Sequence, residues 1–395
     1  PSPPLSGLLP VVHALLVAAA VVTVLSVVVL PGNLRAFPKL PRRPDATARR
    51  PLPRVSVVIP ARDEAGEIDR TVRSHLAQEY PDVRVILVDD RSRDGTGEIA
   101  AALAREDPRV SVISGAEPPD GWLGKPNALW QGARAADGEI LLFADADVRY
   151  HPRALVEAVG IMEDRALDLL AFFPRLEASG FWENVLMPYL GESVFLGLGF
   201  LAGVRRVPIA MGAGAGNLIR RRTYDAVGGH PALRDSVIDD VHLAVSVKRA
   251  GFRVAAYRSE NRVFVRMYRG FRGVWNGFTK NVAYVYNGIG GLVLFALSLL
   301  MIAVSIAPAA VLAASLLGAA IPRSDVVLAA AVFAGSVVLR FVLAAILGAP
   351  LWPALAHPIM TAVWAGLMGR SLFHRFIRRR LTWRGREFDA RRARF

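Results

Sequence analysis

The chain contains no cysteine. Disulfides and thiolate-ligated metal sites are therefore excluded, although this does not fix the compartment. Acidic residues are the minority charge, with 34 Asp and Glu against 48 Lys and Arg, a net charge of +14. That balance suits an anionic partner, either nucleic acid or a membrane surface. The sequence has no aromatic–basic pattern of an RNA-binding module and no internal repeat, so no nucleic-acid partner is expected. What it does have is apolar length. Hydrophobic residues make up 53% of the 395, and mean hydropathy is +0.34. Long apolar runs decide for the lipid bilayer as partner.

Residues from about Leu5 to Leu30 are almost wholly apolar, enough to span a hydrocarbon core of about 30 Å. The run lacks a basic start and a clear small-residue cleavage site. It is therefore expected to be a transmembrane helix over residues 1–32 rather than a signal peptide. A basic linker, residues 33–53, carries Arg35, Lys39, Arg42, Arg43, Arg49 and Arg50, with Arg54 following. The positive-inside tendency places this flank, and the domain after it, in the cytoplasm. Apolar runs return at about Gly291–Ala320, Val326–Leu347 and Leu351–Met368, within predicted membrane helices over 289–371. Arg340 interrupts the second run, and Pro350, Pro353, His357 and Pro358 weaken the third. The tail, 372–395, is densely basic and expected to be cytoplasmic. Three C-terminal spans would put it outside, so either one C-terminal run is re-entrant or the first run is a hairpin; Leu351–Met368 is read as re-entrant or interfacial, with two or three spans left open. The protein is expected to be multi-pass in the cell (inner or plasma) membrane.

Between these ends, residues 54–265 alternate strand and helix signals. Strands are expected at Val55–Pro60, Val83–Asp90, Val110–Ser114 and Ile140–Asp147. Helices are expected at Glu67–Gln78, Thr96–Arg105, Lys125–Ala136 and Val241–Ala250. The alternation predicts an α/β domain with a mostly parallel sheet and helices on both faces. Phe181–Val204 is strongly apolar but holds Pro188 and Glu192. It is read as an amphipathic helix on the bilayer surface, with a buried core helix as the competing view.

Candidate chemistry gathers where strands end, the edge at which open α/β sheets bind ligands. Asp145 and Asp147 are two residues apart, so in extended chain they would point the same way. Two hard carboxylates beside a phosphorylated substrate suit Mg²⁺ or Mn²⁺; a solvated turn is the alternative. Pro60 ends the first strand with Arg62 and Glu64 just after it, and Asp89 and Asp90 end the second. A carboxylate there can accept from a nucleobase N–H or a ribose hydroxyl. Asp94 and Thr96 read better as helix caps. Lys125 opens a helix and suits a diphosphate, unless it is a surface lysine. Asp240, after Asp239, can deprotonate an acceptor hydroxyl; helix-dipole acids are the plainer explanation. Gly216 and Asn217 close a glycine-rich stretch suited to an acceptor loop. Arg266, Arg269, Arg272 and Trp275 can hold a leaving diphosphate or sit on headgroups, in a predicted interfacial segment over 266–288.

Six motifs resemble a family 2 glycosyltransferase of the GT-A fold. They are VSVVIPARDE (Val55–Glu64), ILVDDRSRDGT (Ile86–Thr96), GKPNAL (Gly124–Leu129), FADADV (Phe143–Val148), GAGNLIRR (Gly214–Arg221) and IDDVHLAVSVKRAGFRV (Ile238–Val254). They occur in the family's order and cover about Val55–Trp275. RMYRGFRGVWNGFTKN and TWRGREF (Thr382–Phe388) look like the membrane-attached branch that glycosylates hopanoid-related, carotenoid-acid and ceramide lipids. The resemblance implies a GT-A (Rossmann-like) nucleotide-sugar domain, a nucleotide-sugar donor such as a UDP-hexose, Mg²⁺ or Mn²⁺, and inversion at the anomeric carbon. It implies one sugar moved to a hydroxyl or carboxyl of a membrane lipid or terpenoid. By motif, Glu64 and Asp90 hold the nucleoside, Asp145 and Asp147 the metal–diphosphate, and Asp240 is the base. Two departures stand out. The usual Glu-Asp pair is Asp239-Asp240, and Arg269 and Arg272 are each followed by glycine, so the arginine–tryptophan motif of polymerising members is not intact. A processive polysaccharide synthase is the alternative within the superfamily, and a non-catalytic membrane scaffold the alternative outside enzymes.

Overall fold

A computed structural model describes residues 6–42, 52–197, 199–285, 288–378, 380–383 and 386–389. Arg43, Arg49 and Arg50 of the basic linker and Arg379 and Arg384 of the tail lie outside the described residues. In chain order the elements are α1 (Leu9–Ala36), β1 (Val55–Ala61), α2 (Ile68–Leu76), β2 (Val83–Asp89), α3 (Thr96–Glu106), β3 (Val110–Ser114), α4 (Gly124–Ala135), β4 (Ile140–Phe143) and β5 (Val148–Tyr150). Then come α5 (Ala154–Asp164), β6 (Leu169–Phe173), β7 (Arg175–Leu176), α6 (Gly180–Leu186), α7 (Pro188–Phe195), β8 (Asn217–Arg220), α8 (Arg221–Ala226), α9 (Asp239–Arg249), β9 (Val254–Arg258) and β10 (Val263–Val265). The remainder is α10 (Gly270–Val285), α11 (Gly288–Leu316), α12 (Arg323–Leu347), α13 (His357–Phe373), β11 (Arg380–Trp383) and β12 (Arg386–Asp389).

The chain divides into two units. The α/β unit comprises 36–177, 200–267 and 380–395; the helical unit comprises 1–35, 178–199 and 268–379. In the α/β unit a seven-stranded sheet has the order β3-β2-β1-β4-β8-β6-β9. Strands β3, β2, β1 and β4 run parallel, and β8 is antiparallel to both neighbours. The sheet forms because its strands read as apolar runs buried on both faces. All of β4 is buried, and Val55, Val57, Val58 and Ile59 of β1 are fully so. Each such side chain contributes about 1.5–3 kcal/mol over an exposed one. A small sheet, β5-β10-β7, lies alongside in the same unit.

The sheet differs from the sequence expectation at the segment that matters most. Strand β4 stops at Phe143, and residues 144–147 form a turn into β5, which pairs antiparallel with β10. Asp145 and Asp147 therefore do not share the alternation of an extended strand. Ala144 N–H still bonds Val58 O at 3.2 Å, but Asp145 N–H turns to Gly214 O at 2.8 Å. Arg54, counted among the basic flank, is occupied by Asp82 (2.8 Å) and Asp137, and Lys39 by Glu260 (2.9 Å).

Among the described residues, three helices are long and apolar enough to cross a membrane: α1, Ser298–Leu316 within α11, and α12. Polar side chains inside the helical unit meet in pairs. His13 reaches Asp325 at 2.7 Å, and Arg340 Nε reaches Glu192 Oε2 at 3.0 Å. The amide of Asn33 donates to Phe195 O and Gly197 O at 2.8 and 2.9 Å. Phe181–Val204 is not one helix. Pro188, without an N–H, opens α7 after α6 ends, and a 3₁₀ turn covers Gly199–Gly203. The third apolar run starts as a 3₁₀ turn, Trp352–Ala356, before α13. Helix α10 buries Val274 and Phe278, the latter against Trp364 of α13 with ring centroids 4.6 Å apart.

Candidate active site

The parallel registers align the carboxyl ends of β1 and β2, pairing Ala61 with Asp89. Beyond them the two loops zip together. Asp90 N–H bonds Ala61 O at 2.7 Å, Arg62 Nη1 donates to Asp90 O at 2.8 Å, and Arg93 N–H donates to Asp63 Oδ1 at 2.9 Å. Asp63 and Arg91 sit at φ 52° and 61°. Left-handed backbone costs a non-glycine residue on the order of 1–3 kcal/mol and persists where its surroundings over-determine it. Asp90 is buried, with Arg62 and Arg91 guanidinium nitrogens 4.0 and 3.8 Å from its carboxylate. Asp89 accepts from Ser92 N–H at 3.1 Å. Pro60 belongs to β1, and Glu64 is half-buried just past it. Asp94 accepts from Thr96 N–H at 3.1 Å and Ala65 N–H at 3.0 Å, a loop-fixing role at the start of α3.

A second group assembles from four segments. Lys125, in the first turn of α4, places Nζ 2.6 Å from Asp145 Oδ1 and 3.8 Å from Asp239 Oδ1. The start of α4 has no side-chain cap, so backbone N–H groups and an ammonium point from one place, an arrangement that favours anions. Burial pulls the Lys125 ammonium toward neutrality, but Asp145, Asp239 and Asp240 outweigh it and raise its pKa. Asp239 is 3% exposed, and burial pushes its carboxyl up to about 7; Lys125 opposes the rise, and Asp240 and Asp145 add to it. Asp240 is only half-buried, and its Oδ1 accepts its neighbour Val241 N–H at 2.9 Å. Of the pair, Asp240 is the more exposed carboxylate.

The glycine-rich stretch packs directly on these acids. A Cβ on Gly214 would collide with Asp145 Oδ2, and one on Gly212 with the Asp240 carbonyl. Glycine is required by this close approach. Asn217 is buried and bridges the two sides: its amide donates to Asp240 O at 2.9 Å and accepts Ala213 N–H at 3.2 Å. Its side chain thus braces the backbone that carries Asp240. Gly216 lies beneath, against Tyr150, whose hydroxyl donates to Ala215 O at 2.5 Å.

His230 was not singled out by its sequence. It is 1% exposed and stands 3.9 Å from Asp239 Oδ2 through Nε2. Burial, with Lys125 adding, lowers its pKa to about 3, so the ring is neutral at pH 7. His230 N–H donates to the Tyr224 oxygen at 3.0 Å, and the Tyr224 hydroxyl and Nδ1 are hydrogen-bonded at 2.9 Å. A lone histidine after two glycines carries no signal that would have found it.

The structure thus brings Lys125, Asp145, Asp239 and Asp240 together, with Gly216 and Asn217 beneath them. Pro60, Arg62, Glu64, Asp89 and Asp90 line the adjoining strand ends. Arg266 closes the α/β unit, whereas Arg269, Arg272 and Trp275 belong to the helical unit. There Trp275 packs at Gly366 and stacks on Phe271 with centroids 5.5 Å apart. Among the described residues no three His, Cys, Asp or Glu side chains converge as a ready-made metal cage. Asp145 and Asp147, both half-exposed, fit the other kind of site, in which one or two carboxylates hold Mg²⁺ or Mn²⁺ and substrate phosphates complete the shell.

Residues 56–228 match the family model described as Glycosyl transferase family 2. A 4,4'-diaponeurosporenoate glycosyltransferase of Staphylococcus haemolyticus (strain JCSC1435) is 27% identical over 237 residues, covering 58% of this chain and 61% of the relative. Its counterpart in Staphylococcus aureus (strain USA300) is 29% identical over 248 residues, covering 60% and 62%. The match therefore spans about three fifths of the length of these curated relatives. Among solved structures, a mannosyltransferase from Pyrobaculum calidifontis, in complex with GDP-Man and Mn²⁺, superposes with a TM-score of 0.58 at 22% identity. It covers 92% of this chain and 99% of that one. The likeness is one of fold, and it agrees with the GT-A architecture expected from the sequence motifs.

Proposed function

We propose that the protein, whose residues 56–228 match the family model described as Glycosyl transferase family 2, moves one hexose from a nucleotide-sugar, such as a UDP-hexose, to a membrane-resident lipid or terpenoid. The observation that carries this reading is the group of Lys125, Asp145, Asp239 and Asp240 at the carboxyl edge of the sheet, with Lys125 2.6 Å from Asp145. The relatives named for a carotenoid-acid acceptor support an apolar acceptor bearing a carboxyl or hydroxyl. The three candidate spans support a multi-pass membrane protein. With α11 and α12 as the spans after the catalytic unit, that unit and the basic tail lie on one side, the cytoplasmic side favoured by the positive-inside tendency.

In this reading Glu64, Asp89 and Asp90 hold the nucleoside, and Lys125 with the open start of α4 binds the diphosphate. Asp145 and Asp147 would hold Mg²⁺ or Mn²⁺, which when bound offsets charge on the leaving diphosphate. Asp240 takes the proton of an acceptor hydroxyl as the acceptor oxygen bonds the anomeric carbon from the face opposite the leaving group. The bond from that carbon to the diphosphate breaks, a nucleoside diphosphate departs, and the configuration inverts. Neutral His230 lies beside Asp239 without an ion pair to it. A carboxylate acceptor arrives already ionised and needs no base, so the two acceptor classes place different demands on Asp240.

The test is transfer of radiolabel from UDP- and GDP-hexoses into organic-soluble product by purified protein with a membrane lipid extract. A single glycolipid or glycosyl ester and one nucleoside diphosphate per transfer are expected. A long polymer would replace this reading with a processive synthase. No transfer and no donor binding would leave a scaffold.

A further inference from the structure

Helix α2 carries no acid or base assigned to the reaction above, yet one of its faces holds the segment that bears the paired aspartates. Thr71, Ser74, His75 and Gln78 follow the spacing i, i+3, i+4, i+7, which places them on one side of a helix and its C-terminal extension. Thr71 Oγ1 donates to Ala146 O at 2.8 Å, and both residues are buried. Ala146 is the residue between Asp145 and Asp147. Ser74 Oγ accepts Tyr150 N–H at 3.1 Å. The fully buried His75 ring lies against Tyr150, with centroids 4.5 Å apart. Gln78 donates to His151 O at 2.9 Å and accepts Leu155 N–H at 3.0 Å. The far side of the same segment is tied to the glycine-rich stretch through Tyr150 and Ala215 O, and through Asp145 N–H and Gly214 O.

The turn at 144–147 lies between the end of β4 and the start of β5, so no strand ladder runs through it. Its shape is held by the backbone bonds of Ala144 and Asp145 and, at the Ala146 carbonyl, by the Thr71 side chain. We infer that Thr71 is a positioning residue: by holding the Ala146 carbonyl it fixes the directions in which Asp145 and Asp147 leave the turn, and so the geometry offered to a cation and diphosphate. It touches neither substrate nor metal and acts through the backbone between the two carboxylates. This inference rests on the proposed donor site.

The experiment measures binding rather than turnover. Wild type, Thr71→Val and Thr71→Ser are each titrated with UDP and with GDP in the presence of Mn²⁺ and of EDTA, and thermal unfolding is recorded alongside. Groups that orient metal ligands typically change affinity about 10- to 100-fold when removed. Thr71→Val, which keeps the shape and loses the hydroxyl, is expected to weaken Mn²⁺-dependent nucleotide binding about 10-fold or more. Thr71→Ser, which keeps the hydroxyl, is expected to restore it to within about 3-fold of wild type. Wild-type binding with Thr71→Val unchanged overturns the role of Thr71 alone. So does a Thr71→Ser variant about 10-fold or more weaker than wild type, and this arm remains informative if the valine variant fails to fold. Wild type that binds neither nucleotide with Mn²⁺ overturns the donor site itself, and the positioning role with it.

Discussion

Two arrangements of charge, one in each unit, are built in opposite ways. In the helical unit two pairs are matched singly: Arg340 with Glu192, and His13 with Asp325. In the α/β unit three carboxylates, Asp145, Asp239 and Asp240, surround one lysine. The first arrangement suits a low-dielectric setting, where a lone charge is costly and a matched one tolerable. The second leaves excess negative charge beside an ammonium and open helix N–H groups, poised for a cation and a diphosphate arriving together. The pairs of the first join helices, and in the proposed reading the second awaits substrate.

Five substitutions test this contrast. The largest effect belongs to Asp240→Asn with a hydroxyl acceptor, where transfer should fall about 10²–10⁴-fold while donor binding persists. With a carboxylate acceptor the same variant should lose far less, so the ratio of the two losses, measured with matched acceptors, reports the acceptor class. Next, Arg340→Met leaves Glu192 buried without its partner and should destabilise the helical unit by about 3–5 kcal/mol. The double change Arg340→Met with Glu192→Met should cost less than either alone, as read from thermal unfolding in detergent. Gly214→Ala drives a methyl into the Asp145 carboxylate and should weaken Mn²⁺-dependent donor binding with a smaller shift in melting temperature.

The smallest effect concerns acid. His75 and His230 have folded pKa values lowered to about 3 by burial, against about 6.5 in an unfolded chain. Because the folded values are depressed, the stability they confer is fully present above about pH 6.5. It is lost as pH falls toward 3, by about 1.4 kcal/mol per pH unit for each histidine. His75→Leu should flatten the fall in melting temperature between pH 6.5 and 5 by about one proton's worth.

Much of the fold was legible because its strands are short apolar runs bounded by turns. Val110–Ser114 coincides with its expected span, and most other elements differ by a residue or two. The strand through Asp147 was misread because an apolar run passing into Asp-Ala-Asp says nothing of where the ladder stops. That depends on Gly214, 69 residues later, capturing Asp145 N–H. Arg340 and Glu192 each read as a flaw in an apolar run. Their pairing, 148 residues apart in sequence, explains both. The carboxylates of the site were legible because they follow strands or open helices, whereas Thr71 and His230 were not. Their roles come from contacts that only the folded chain makes.

A donor site made by metal, lysine and carboxylates together can be tested by isothermal titration of the purified protein with UDP-glucose, in Mn²⁺ or EDTA, beside Asp147→Ala, repeated with other nucleotide sugars, GDP-hexoses among them. At least one donor is expected to bind, with binding lost in EDTA and lost again in Asp147→Ala. Binding that survives both changes, or no binding across the donors, would rule such a site out.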